Sequence, residues 1–173
     1  MFRFKFKQSD YGDVCTLINI INVLDYMHDE DSVSRLKYYL DESKWVEYQQ
    51  THDLQCAPGY RLSAVMQLLQ RKCHYRQKRH SCIPVGTLLK QKIPIAVEIN
   101  PQHCITIFES MIFDANDDET KPATKANLNL YINPSEKLKN PVGNYRNASG
   151  IKFYTFSLDK KKTTTKGTLS ATV

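Results

Sequence analysis

The sequence lacks the features of a membrane-spanning or secreted protein. It has no apolar run of about 18 residues or more, so we expect no transmembrane helix. Its start, MFRFKFKQSD, alternates Phe with Arg or Lys and lacks the apolar segment of a signal peptide. We therefore expect a mature chain that begins near Met1 and stays in the cytoplasm, unless it is exported by another route or cut from a longer precursor.

The cysteines and glycines form no regular ligand pattern. The five cysteines are odd in number and have no repeating spacing, which argues against a disulfide framework and fits a reducing compartment. Cys56, Cys73, His74, His80 and Cys82 do not follow a regular zinc spacing, so isolated core or surface positions explain them better than a metal site. No Gly-rich phosphate loop is present, so nucleotide binding is not indicated.

The chain has the size and composition of one globular domain with a basic surface. It has 173 residues, and its 41% hydrophobic content is sufficient for a buried core. The net charge of +6 comes from two segments, Arg71–His80 and Lys160–Lys166. Such segments bind nucleic acid, an anionic surface or an acidic peptide. Within Arg71–His80, Tyr75 lies among cations, as in some nucleic-acid-binding segments, although a solvated face is the commoner explanation.

The stretch from Gln8 to Asp29 predicts a loop that leads into a buried helix. Apolar residues occupy almost every side of this helix: Leu17, Ile18, Ile20, Ile21, Val23, Leu24 and Met27. Asp13 lies where an N-cap is expected, which places Cys15 in the first helical turn. The positive end of the helix dipole favours a thiolate there, although a small hydrophobe at the start of a core helix is the alternative.

Helical patterns come first along the chain and strand patterns come second. Four further helices are predicted by apolar spacing: Val33–Leu40, Trp45–Tyr48, Arg61–Lys72 and Val85–Lys92. Strand patterns follow at Ile93–Ile99, His103–Phe108, Met111–Asn116, Asn127–Ile132 and Ile151–Leu158. Tyr131 is assigned to the core of the predicted sheet. This order predicts an α+β fold over residues 1–158 and a disordered basic tail over residues 159–173.

Two of the strands predict a hairpin whose tip is Glu109-Ser110. If Phe108 pairs with Met111, His103 lies directly opposite Asn116 on the same face of the hairpin. Asp114 then lies diagonal to the histidine and within hydrogen-bonding reach of it. Either residue can orient the imidazole, and the pattern leaves that choice open.

These residues together predict a thiol nucleophile with a base and an orienting group. Cys15 supplies the thiol, His103 the base, and Asp114 the carboxylate that orients the base. The side-chain amide of Gln8 and the backbone N–H of Cys15 are candidate donors to an oxyanion. A structural His–Asp pair and a solvated Gln8 are the alternatives. The predicted chemistry requires no metal or organic cofactor.

Two stretches resemble the papain-like peptidase domain of bacteriocin ABC exporters, which cuts double-glycine leaders. They are KFKQSDYGDVC with the helix after it, and TLLKQKIPIAVEINPQHCITIFESMIFDAN. The resemblance covers roughly Phe4 to Asn116. It implies a papain-like fold, in which an N-terminal helical half with a buried Cys-bearing helix packs on a C-terminal antiparallel sheet. It also implies catalytic roles for Gln8, Cys15, His103 and Asp114.

The chain departs from that family in ways that matter for its substrate. Val14 separates Asp13 from Cys15, whereas the family has Asp directly before Cys, and Thr16 stands where Gly is usual. The gap between the predicted His and Asp is shorter, no Pro follows the Asp, and no ATPase or membrane segment accompanies the domain in this sequence. The leader-peptide substrate is therefore not carried over.

We expect a cysteine peptidase that acts on a peptide or isopeptide bond in a protein or peptide substrate. The order Gln, Cys, His, acid also fits a Josephin-like or other ubiquitin-directed peptidase, or a viral or effector protease in a host cytoplasm. A transferase or amidase shares the same thioester step. An inactive papain-fold binding module also fits the sequence, as does a basic domain that binds nucleic acid through Arg71–His80.

Overall fold

The computed structural model describes residues 1–10, 14–54, 60–90, 92–100, 103–132, 144–146 and 151–159. The fold is α+β. The helices are α1 (Cys15–Tyr26), α2 (Glu30–Lys37), α3 (Glu42–Thr51), α4 (Leu62–Cys73), α5 (Val85–Lys90) and α6 (Lys125–Tyr131), with 3-10 turns at Gln8–Asp10 and Tyr38–Leu40. The strands are β1 (Tyr75–His80), β2 (Cys82–Pro84), β3 (Ile95–Asn100), β4 (His103–Phe108), β5 (Met111–Phe113), β6 (Lys121–Pro122), β7 (Asn144–Arg146) and β8 (Lys152–Leu158).

The first helix is buried along most of its length, as its sequence predicts. Every residue from Cys15 to Leu24 is buried, and the helix packs against β4 and α2. Asn19 and Asn22 are fully buried as well, because their amides donate to the backbone carbonyls of Cys104 and Phe6. These two bonds fix the helix against a strand on one side and against the N-terminal segment on the other.

The N-cap of α1 differs from the predicted one. Val14 occupies the N-cap position and forms no side-chain cap bond. The predicted cap, Asp13, lies outside the described residues. The helix nevertheless begins at Cys15, so the first N–H groups of α1 lie beside this thiol.

The main sheet has six strands in the order β1-β8-β3-β4-β5-β6, and all its pairs are antiparallel. The strand at the C-terminal end of the described chain, β8, therefore lies inside the sheet between β1 and β3. One sheet face packs on α1 and α4 through Ala96, Cys104, Phe108 and Phe113. The other face carries Ile95, Val97, Ile105, Ile107, Ile112 and Phe153 beneath Leu88 of α5 and Leu128 of α6. Both faces are thus covered by helices.

The hairpin between β4 and β5 has the predicted register. Phe108 pairs with Met111, and the two residues between them, Glu109 and Ser110, both have positive φ angles of 47° and 61°. A two-residue turn with both φ positive matches the twist of a hairpin. The second strand ends earlier than predicted, however, because β5 stops at Phe113. Residues 114–117 form a turn in place of strand.

The predicted strand at Asn127–Ile132 is wrong, because this segment belongs to α6. The hydroxyl of Thr124 accepts a hydrogen bond from the backbone N–H of Asn127 and caps the helix. Leu128 and Ile132, four residues apart, both turn to the core. In so short a segment, apolar spacing does not separate a helix from a strand.

The tail predicted over residues 159–173 lies outside the described residues from residue 160 onward. In the described part of the chain, no helix has the length and apolar character needed to cross a membrane.

Candidate active site

Helix α1 and strand β4 run side by side in the same direction. Near the start of the helix, Asn19 donates to the carbonyl of Cys104, the second residue of the strand. At the helix end, the hydroxyl of Tyr26 donates to Glu109, just past the strand, at 2.8 Å. The first residues of both elements therefore meet at one end of the molecule, and the first residue of the helix is Cys15.

The first residue of the strand, His103, contacts the predicted thiol and both residues predicted to orient the base. Its side chain is hydrogen-bonded to the Cys15 thiol. Its Nε2 atom lies 3.4 Å from Oδ2 of Asp114, and its Nδ1 atom lies 3.3 Å from the side-chain nitrogen of Asn116. The structure thus brings the predicted thiol, base and carboxylate together in one chain of contacts.

The charge of the imidazole is set by these neighbours. The hydrogen bond to Asp114 and then the one to Cys15 raise the pKa of His103 to about 9, and burial only partly opposes them. At neutral pH the ring is therefore predominantly cationic. A cationic imidazole beside a thiol favours the thiolate, which is the nucleophilic form of cysteine.

The carboxylate stays ionised although it is buried. Asp114 is only 4% exposed, and burial alone raises its pKa. The hydrogen bonds from His103 and from the backbone N–H of Asn116 outweigh that effect, so the pKa of Asp114 lies below its ordinary value. The backbone N–H of Asn116 donates to Oδ1 of Asp114 at 3.0 Å. This bond lies within the turn that replaces the end of the predicted strand.

The sequence pattern leaves Asp114 and Asn116 as two candidates to orient the imidazole. In the structure each of them contacts a different nitrogen of the ring. Asp114 lies at Nε2 and Asn116 lies at Nδ1. The carboxylate supplies charge, and the amide supplies a second, uncharged contact.

Gln8 lies between the helix and the turn that carry the other candidates. Its backbone N–H donates to the carbonyl of Ala115 at 3.3 Å, directly after Asp114. The segment just before Gln8 is attached to α1 through the bond from Asn22 to the carbonyl of Phe6 at 2.9 Å. Its side-chain oxygen is buried and has no hydrogen-bond partner within the described residues. Gln8 is thus fixed by its backbone beside the candidate site.

Two further residues at the site were not identified as site residues from the sequence. The ring of Tyr131 lies nearly parallel to the imidazole of His103, with an interplanar angle of 15° and centroids 6.3 Å apart. The hydroxyl of Thr16 lies 4.0 Å from the Cys15 sulfur. A helical assignment of residues 125–131 would have removed Tyr131 from the predicted sheet. Only the tertiary structure shows that its ring lies beside the imidazole of His103.

The basic segment Arg71–His80 does not present its aromatic residue to a ligand. Tyr75 is only 1% exposed, packs against Phe156, and donates its hydroxyl to Asp29. It is therefore a core residue and cannot stack on a base. The exposed guanidinium of Arg76 pairs with Asp159 at 3.0 Å.

The residues considered for zinc do not assemble in the described part of the chain. No group of three or more metal-ligating side chains occurs there. Cys73 is buried with its thiol on the carbonyl of Ser32, and His80 contacts the Thr155 hydroxyl at 2.9 Å. Cys56 lies outside the described residues.

Compared with known proteins, the chain matches no family model, no curated protein and no solved structure.

Proposed function

We propose that the chain is a papain-like cysteine peptidase, a thiol hydrolase in which Cys15 is the nucleophile. The observation that carries the proposal is the position of His103, which bonds to Cys15 on one side and to the buried Asp114 on the other. A nucleophile, its base and an orienting carboxylate are the parts that covalent acyl transfer needs.

The proposed reaction proceeds through a thioester. The Cys15 sulfur bonds to the substrate carbonyl carbon, and the carbonyl electron pair moves onto its oxygen. When this intermediate collapses, the C–N bond breaks and the leaving amine takes the proton of His103. Water then attacks the thioester carbon and gives a proton to His103, and the second collapse expels the Cys15 thiolate.

The negative oxygen of each intermediate needs donors that are already in place. The backbone N–H of Cys15 is one candidate, because it opens α1 directly beside the proposed nucleophilic sulfur. The side-chain amide of Gln8 is the second, because its backbone is held at Ala115 beside the site. The proposed oxyanion site thus takes one donor from the helix and one from the N-terminal segment.

An inactive binding module of the same fold is the competing proposal, and it rests on the insertion of Val14 before the cysteine. That proposal predicts a separated thiol and imidazole. The contact between Cys15 and His103 favours the active form instead. Whether the substrate is a linear peptide or a ubiquitin-like conjugate is decided by substrate profiling.

The test compares thiol labelling by iodoacetamide across pH in the wild type, Cys15→Ala and Cys73→Ala. We expect one thiol to react rapidly at about pH 6 to 7, and this reaction to vanish in Cys15→Ala but persist in Cys73→Ala. Peptides and ubiquitin-like conjugates are then screened for cleavage that depends on Cys15. Labelling of Cys15 only at alkaline pH, at the rate of the other thiols, would refute the proposal.

A further inference from the structure

Tyr131, the last residue of α6, packs flat beside the proposed catalytic base. Its ring plane is within 15° of the imidazole plane of His103. The ring is half-buried, and its neighbour in the helix, Leu130, is 79% exposed. The helix therefore directs one side chain into the site and leaves the preceding one in solvent.

The hydroxyl of Tyr131 is held by the Asp117–Lys121 ion pair, and it also forms a side-chain hydrogen bond with Asp114 of the proposed triad. It donates to Oδ2 of Asp117 at 3.4 Å and accepts from Nζ of Lys121 at 3.5 Å. Lys121 and Asp117 pair with each other at 2.8 Å. The contacts with Asp117 and Lys121 thus fix the hydroxyl end of the ring, whose plane is nearly parallel to that of the imidazole.

One turn carries the partners of both rings. The backbone N–H of Asp117 donates to the carbonyl of Asp114 at 3.0 Å, which closes residues 114–117 into a turn. The first residue of this turn contacts Nε2 of His103, the third contacts Nδ1, and the last holds the hydroxyl of Tyr131. The turn therefore contacts both nitrogens of the imidazole and also holds the tyrosine whose ring lies nearly parallel to it.

We propose that Tyr131 is a positioning residue of this site, whose ring holds the imidazole of His103 against Asp114 and Cys15. The proposal rests on the proposed function, and it assigns the phenol hydroxyl the task of fixing the ring through Asp117 and Lys121. Tyr131 takes no part in bond making. It acts by limiting rotation of the imidazole.

A looser imidazole has a consequence that a merely structural tyrosine would not produce. The two contacts that raise the pKa of His103 are those with Asp114 and Cys15. If the ring of Tyr131 is lost, the imidazole spends less time in both contacts, and its pKa moves down from about 9 toward its ordinary 6.5. The upper pH limit at which a thiolate and an imidazolium coexist is then lower than in the wild type.

The experiment measures the His103 titration by NMR and the alkylation rate of Cys15 against pH in three variants. Tyr131→Leu removes the ring, Tyr131→Phe removes only the hydroxyl, and Leu130→Ala is the matched control on the same helix. We expect Tyr131→Leu to slow alkylation at about pH 7 by roughly three- to tenfold and to lower the His103 pKa by about half a unit to one unit. We expect Tyr131→Phe to slow alkylation less than Tyr131→Leu does, because the ring remains but its hydroxyl contacts are lost.

Each outcome separates this proposal from the proposed function. If the wild type alkylates rapidly at neutral pH and Tyr131→Leu follows Leu130→Ala in both readouts, Tyr131 does not position the base and only this inference fails. If the wild type itself shows no fast thiol, the proposed function fails and this inference fails with it. Thermal unfolding of each variant is measured alongside the kinetics. The NMR titration reports the pKa of His103 in the folded molecules, so it detects a change in that pKa even if a variant has a smaller folded fraction.

Discussion

Two buried cysteines at opposite ends of the helical half show what makes a thiol chemically useful. Cys15 is 6% exposed and Cys73 is 5% exposed, so burial does not distinguish them. Burial raises the pKa of Cys73 to about 11, and its thiol faces the carbonyl of Ser32. Cys15 instead faces a cationic imidazole that is backed by a carboxylate. The difference lies in the charge beside the sulfur.

A third cysteine makes the same point within the catalytic strand. Cys104 follows His103 directly, but it points to the opposite face of β4 and is fully buried against α1. Burial raises its pKa well above the ordinary value, with the charge of nearby Cys15 as a smaller cause. One step along a strand thus separates a residue at the site from an inert core thiol.

The largest expected effect comes from removing the charge that distinguishes Cys15. His103→Gln keeps a polar side chain of similar reach but cannot carry a proton at neutral pH. We expect kcat/KM on any cleaved peptide to fall by about 10²- to 10⁴-fold, because the general base is lost. Cys15 should then alkylate like the buried Cys73. A variant that retains activity within about twofold would contradict the proposed role of His103.

The pH dependence of stability gives a smaller effect of defined sign. The pKa of His103 is about 9 in the folded protein and 6.5 in the unfolded chain, so the folded state binds this proton more tightly. The resulting stabilisation is fully present below about pH 6.5 and is lost as the pH rises through about 9. It amounts to at most about 3 kcal/mol in the free energy of unfolding.

Urea unfolding at a series of pH values measures this effect. The free energy of unfolding of the wild type should fall relative to that of His103→Gln between those limits. Parallel curves for the two proteins across this range would show that the imidazole gains no proton affinity on folding.

The smallest expected effect comes from Cys73, whose thiol faces the carbonyl of Ser32 and whose pKa is raised mainly by burial. Cys73→Ala should leave alkylation of Cys15 and any peptidase activity unchanged. It should lower the free energy of unfolding by about 1 kcal/mol, because a buried sulfur is replaced by a small cavity. Denaturant unfolding and the labelling assay check both parts. A loss of Cys15 reactivity in this variant would show that the two thiols are not independent.

The parts of the site that the sequence predicted are those set by local patterns. The burial of α1 follows from its apolar residues, and the register of the hairpin follows from alternation on both sides of Glu109-Ser110. That register predicted the neighbourhood of His103 and Asp114, even though Asp114 lies in a turn just past the strand. Periodicity gives the face of a residue, and a one- or two-residue error in strand length does not change it.

The parts that sequence reasoning missed depend on contacts between distant segments. Tyr131 is 28 positions from His103 in the printed sequence, and no local pattern indicates that their rings are parallel. The helical conformation of its segment depends on Thr124 as a cap and on Leu128 facing the core. The separate contacts of Asp114 and Asn116 with the two imidazole nitrogens depend on the turn that begins at Asp114.

The central claim is that Cys15 is the nucleophile and that His103 is its partner in proton transfer. The most direct measurement is the ultraviolet absorbance of thiolate as a function of pH, taken as the difference between the wild type and Cys15→Ala. We expect thiolate absorbance to be present at about pH 7 and to be absent there in His103→Gln, because the imidazolium stabilises the anion. If the difference spectrum shows thiolate only above about pH 8.5, the ordinary range for cysteine, the account is contradicted.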